Sequence, residues 1–101
     1  MSFTELKNAQ ARLLLLQLLT KAPEYRVNDG ELADMLRVFG KSMSRDLLRS
    51  HLAWLAEQGL ISLEAPTEVV QVAGLTIRGE DAAYGRAIIP GVKRPGPEDS
   101  I

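Results

Sequence analysis

The chain has 101 residues, 46% of them apolar and 25% charged, with a formal net charge of -1 and no cysteine. That length suits one domain with one modest core. The missing cysteines exclude disulfides, thiolate catalysis and cysteine-based zinc or iron–sulfur sites.

Twelve basic residues stand against thirteen acidic ones. Phosphate contacts draw on Lys and Arg, so this balance weighs mildly against a duplex binder. Distribution matters more than the total. Residues 41–51 carry Lys41, Arg45 and Arg49 against Asp46, whereas residues 52–68 carry only Glu57, Glu64 and Glu68.

Thr4 to Thr20 reads as a first helix. Leu6, Leu13, Leu16 and Leu19 hold a helical period, and Ala9, Leu14, Leu15 and Leu18 broaden the face. So wide a face predicts burial on two sides, against the domain and against a partner. The run is interrupted by Arg12 and Gln17 and closed by Lys21, which fits neither a signal peptide nor a membrane span. A soluble intracellular protein, cytoplasmic in location, is the expectation. Ala22-Pro23 ends the helix.

Asn28 is the expected N-cap of a second helix, with Glu31 completing the box and Val27 as a staple against Leu32. Leu32, Ala33, Met35 and Leu36 face inward, and Gly40 suits the C-cap. Ser42 or Ser44 caps a third helix, whose inward stripe is Leu48, Leu52 and Leu55. Gly59 closes it. Ile61 to Leu63 alternates as a strand, Ala65-Pro66-Thr67 turns, and the β-branched run Val69 to Val72 returns. Thr76 caps a fourth helix running to Gly85 or Ile88, with Ala82, Ala83 and Ile88 inward. Residues 90–101 hold three prolines and two glycines and read as an extended, flexible tail beyond a domain of residues 1–89.

This order predicts a mainly α fold with a small β-hairpin, a winged helix-turn-helix. Its sharpest signal is the stretch Ser44 to Ile61, in which a capping serine, three leucines, Gly59, Leu60 and Ile61 follow in turn. It looks like the recognition helix and first strand of many winged-helix regulators. Four stretches extend the resemblance: Arg12 to Leu19, Ser44-Arg45-Asp46, Leu52 to Leu60 and Pro90 to Pro95. With them the chain resembles a family of small winged-helix proteins of Mu-like transposable phages and prophages. That resemblance implies a phage origin and the fold. It carries over no catalytic residues.

On this fold the third helix would enter the major groove of double-stranded DNA. Arg45 and Arg49, four apart on one face, would reach base edges with Ser50 beside them. Lys41 and Ser44 would touch phosphate. A homodimer would read half-sites about 34 Å apart, joined through Phe3, Leu14, Leu18 and Trp54; the other reading of Trp54 is packing against the first or fourth helix of its own chain. The alternative is that the arginines are solvated charges paired with Asp46 or nearby glutamates. The hairpin turn, Glu64 to Glu68, has no basic residue, so the rival function is a protein–protein adaptor that binds a phage or host protein. Lys93-Arg94 reads as part of a solvated tail, with a backbone-gripping arm as the alternative. His51, the lone histidine, reads as a hydrogen-bonding surface or boundary residue rather than a metal ligand or a triad member. No cofactor and no enzyme chemistry is expected.

Overall fold

The computed structural model describes residues 2–101. Four helices enclose a three-stranded antiparallel sheet. Helix α1 spans Phe3–Lys21, and its cap is Ser2, whose hydroxyl accepts the Glu5 N–H at 3.1 Å, rather than Thr4. From Ala9 to Leu19 it is buried on almost every side, including all of Leu13 to Leu19; Leu6, expected inward, is 38% exposed. It packs against the other three helices and the sheet, which is why its apolar residues do not resolve into one stripe.

Ala22 adopts an extended conformation and hands the chain to a short 3-10 turn, Pro23–Tyr25. Strand β1 follows at Arg26–Asn28, then α2 at Asp29–Val38. The cap expectation holds: the Asn28 side chain accepts the Glu31 N–H at 2.8 Å. Leu32 and Leu36 are fully buried. Helix α3 covers Arg45–Glu57, capped by Ser44 through the Leu47 N–H at 3.1 Å. Its stripe of Leu48, Leu52 and Leu55 has no solvent exposure. Gly59, at φ 74°, closes it with a bond from the Leu60 N–H to the Leu55 carbonyl.

Strands β2 (Ile61–Glu64) and β3 (Val72–Leu75) pair from Ile61 opposite Leu75 to Glu64 opposite Val72. Strand β1 pairs with the other edge of β3, Val27 opposite Ala73, so β3 is central. Two corrections follow. The sheet has three strands, not two, because Val27-Asn28 is strand and cap at once. The returning strand lies at Val72–Leu75, not Val69–Val72. Central placement needs the small Ala73 and Gly74: a Cβ on Gly74 would stand 2.8 Å from the Ser62 hydroxyl. Val69 and Val70 sit instead in the connecting loop, where the Thr67 hydroxyl accepts both of their N–H groups.

Helix α4 is Ile77–Ala83, with Thr76 accepting the Gly79 N–H at 3.0 Å. It stops short of the expected Ile88. Gly85, at φ 76°, breaks the helical phase, so Ile89 enters the core at 5% exposure while Ile88 is 69% exposed. Residues 90–101 do not leave the body. They run back across α1 and end in a 3-10 turn at Pro97–Asp99. The Lys93 N–H donates to the Ala9 carbonyl at 3.1 Å, and the Gln17 side chain donates to the Asp99 carbonyl.

Candidate functional site

Arg45 and Arg49 do lie on one face of α3, and that face turns toward a buried carboxylate. Asp29, the first residue of α2, has a side chain only 1% exposed. Its Oδ2 accepts Arg45 Nη2 at 3.0 Å and Arg49 Nε and Nη2 at 3.1 and 3.0 Å. Its Oδ1 accepts the N–H groups of Gly30 and Gln71. Both arginines also reach one further acceptor, the Val69 carbonyl, at 2.7 and 2.8 Å. The two guanidinium groups thus tie α3 to the start of α2 and to the loop before β3. Burial pushes the Asp29 carboxyl up, but the hydrogen bonds from Arg49 and the Gln71 N–H, with the two nearby positive charges, outweigh it and hold the pKa below the usual carboxylate value.

The pairing was anticipated with the wrong partner. Asp46 and the neighbouring glutamates take no part; Asp29, sixteen and twenty residues away, does. Arg45 keeps a 55% exposed side chain and Arg49 28%. The outward surface of α3 carries Asp46, Ser50, Ala53 and Glu57 instead, all exposed. Lys41 is half-buried in the α2–α3 connection, and Ser44 accepts the cap hydrogen bond. At the end of β2, Glu64 pairs with Arg26 of β1 at 2.7 Å, and in the loop that follows Glu68 is exposed.

A second cluster joins α1, α3 and the C-terminal segment. The Arg12 guanidinium lies 4.0 Å from the centre of the Trp54 ring. Its Nε–H donates to His51 Nδ1 at 3.3 Å and an Nη1–H to the Gly91 carbonyl at 3.1 Å. Gly91 has φ 94°, and a Cβ there would meet the Trp54 ring at 2.6 Å. His51 is only 2% exposed, a core residue rather than a surface one. Burial, reinforced by the Arg12 charge, holds its pKa below the usual histidine value. In the sequence Arg12 shows only as an interruption of an apolar run; the available signal is that an arginine drawn into a core is almost never without a partner.

The expected dimer residues scatter. Leu14 and Leu18 are buried within the chain, at 8% and 3% exposure, so folded copies cannot meet through them. Phe3 is 75% exposed, with Lys7 Nζ 5.6 Å from its ring centre. Trp54 is half-buried beneath Arg12. Among the described residues no cluster of three or more His, Asp or Glu is arranged to hold a metal ion, and no helix is long and apolar enough to cross a membrane.

Comparison with known proteins places the chain. Over 70 residues it is 46% identical to uncharacterized protein gp26 of Escherichia phage Mu, covering 69% of this chain and 72% of that protein. The chain belongs to the Mu gp26 family. An uncharacterized protein of Haemophilus influenzae is 42% identical to this gp26-family chain over 78 residues, which is 77% of this chain and 76% of that one. No family model matches the chain, and no solved structure does.

Proposed function

We propose that this Mu gp26-family protein is a non-enzymatic winged-helix module that binds a phage or host protein rather than reading DNA. Three helices, a hairpin pairing onto a short strand between the first two, and a closing helix follow the winged-helix order, with α3 in the position of a recognition helix. Fold alone does not decide the ligand. The observation that carries the reading is the engagement of Arg45 and Arg49 with Asp29 and the Val69 carbonyl. The groups best suited to guanine edges already have acceptors inside the chain. The side chains left outward on α3 include two carboxylates, and the wing adds the exposed Glu68, while its Glu64 is paired with Arg26. Phosphate would be repelled by both.

A second reading, DNA recognition by α3, keeps one specific observation in its favour: the Arg45 side chain remains more than half exposed even while it bonds Asp29. Fluorescence anisotropy with fragments of a Mu-like phage genome, at low and moderate salt, separates the two. The adaptor reading expects weak binding with no preferred fragment. Tight, fragment-selective binding that is abolished by replacing both Arg45 and Arg49 with alanine would overturn it.

A further inference from the structure

The Arg12–His51 contact has a polarity that makes it conditional. Arg12 Nε–H can only donate, so His51 Nδ1 must carry a lone pair, which places the ring's single proton on Nε2. The same guanidinium holds the Gly91 carbonyl and covers the Trp54 ring. Beyond Gly91 the segment is held to α1 by two hydrogen bonds, Lys93 N–H to Ala9 and Gln17 to the Asp99 carbonyl, with Val92 packed against the core and Lys93 Nζ paired to Asp99 within the segment. One imidazole lone pair therefore sits at the head of a set of contacts that runs through Gly91 and Lys93 to Asp99.

We propose that His51 is a proton-operated latch for the C-terminal segment, in which protonation of Nδ1 evicts Arg12 and frees Gly91 and the residues after it. Adding that proton removes the acceptor of the Arg12 Nε–H and sets an imidazolium against a guanidinium. No carboxylate in contact with the pair compensates. The surroundings are cationic on each side. From α1 come Arg12 and Lys7; from the α2–α3 connection comes Lys41, which lines the same pocket beside His51 as Lys7 does. On the far side of Arg12, the groove beside Trp54 is lined by Lys93 and Arg94 of the C-terminal segment, with Glu5 of α1 as the lone carboxylate. On α3 itself the charged residues are Arg45, Asp46, Arg49 and Glu57, and the first three belong to the turns before His51. Arg45 and Arg49 face Asp29, not His51. A depressed His51 pKa agrees with this picture, and its causes are burial first and the Arg12 charge second.

Trp54 is the chain's one tryptophan and lies against both Arg12 and Gly91, so it reports on the latch directly. The experiment follows Trp54 emission in the full chain from about pH 7.5 to about pH 4.5, a window that brackets the ordinary histidine value. Circular dichroism establishes over which part of that window the helices persist. Wild-type protein is expected to show a red shift with a midpoint below the usual histidine range, while helicity is unchanged. His51→Gln, whose amide oxygen can accept from Arg12 but cannot titrate, should give a flat profile. Arg12→Ala should also give a flat profile, which separates eviction of Arg12 from direct quenching of Trp54 by a charged His51. Hydrogen exchange, corrected for intrinsic rates, should show the Lys93 amide losing protection across the wild-type transition. A wild-type profile that stays flat, a transition that survives in His51→Gln, or one of full size in Arg12→Ala would each overturn the proposal. Should His51→Gln not fold, the His51 ring proton shifts in wild-type protein, tracked alongside the Lys93 amide, decide the matter: titration of the ring without loss of amide protection rules the latch out.

Discussion

Asp29 and Gln71 grip each other twice: the Asp29 N–H donates to the Gln71 carbonyl at 2.9 Å, and the Asp29 carboxylate accepts the Gln71 N–H at 3.3 Å. The clip fixes the start of α2 against the entry to β3, and its carboxylate then collects Arg45 and Arg49. Replacing Asp29 with alanine leaves two guanidinium groups with only the Val69 carbonyl and takes the acceptor from two N–H groups at once. With Arg45 largely exposed its share is discounted, and a loss of about 2–4 kcal/mol is expected. Urea denaturation of wild type and Asp29→Ala measures it; a difference below about 1 kcal/mol, the size of a single ordinary hydrogen bond, would show the cluster to be ornamental.

Acid should act on the same cluster. The folded Asp29 pKa is depressed, so its contribution is complete above the unfolded carboxylate value and drains away as pH falls through the folded one. His51, also depressed, loses its contribution in a higher window, from the usual histidine range downward. Stability measured against pH should therefore fall in two stages. Asp29→Asn should shrink the lower stage, to which the depressed Asp99 carboxyl also contributes through its Lys93 hydrogen bond, and leave the upper one. His51→Gln should do the reverse.

Gly79 faces the tightest approach in the chain. A Cβ there would stand 1.9 Å from the Leu60 carbonyl oxygen and 2.8 Å from Leu75 Cδ1. The obstacle is backbone, so α4 must move away from the strand start. Gly79→Ala, favourable in an open helix, should here cost about 2–4 kcal/mol, read as a lower denaturation midpoint with an unchanged slope.

At Gly91 the obstruction is the Trp54 ring, and the backbone has positive φ as well. Gly91→Ala should destabilise by about 1–3 kcal/mol. It should also expose Trp54, so a red-shifted emission at neutral pH accompanies the loss. Unchanged emission would mean that residues 91–101 settle against the ring in another way.

Local chemistry made the element boundaries readable. Asn28, Ser44 and Thr76 announce helix starts by offering a side-chain acceptor to an N–H three residues on, and Gly59 announces a stop. The leucine stripe of α3 was legible for the same reason. Strand β1 was not, because three residues are too few to show a period and Asn28 already had a role as a cap. Register failed at β3, where β-branched propensity favoured Val69 while packing at the sheet centre required Ala73 and Gly74. Asp29 was invisible as a hub. A carboxylate in the first turn of a helix is explained locally by the helix dipole, and nothing short-range points to partners twenty and forty-two residues away. The C-terminal segment was misjudged from composition: proline and glycine describe how a chain bends, not whether something waits to receive it.

The seating of residues 90–101 on α1 bears on when the protein can finish folding. The first helix emerges from the ribosome early, but Ala9 and Gln17 gain their partners Lys93 and Asp99 only after the sheet and the other three helices have been synthesised. Until then a helix apolar around most of its girth lacks part of its cover. A chain interrupted before residue 90 would therefore present the cell with a sticky, half-wrapped rod.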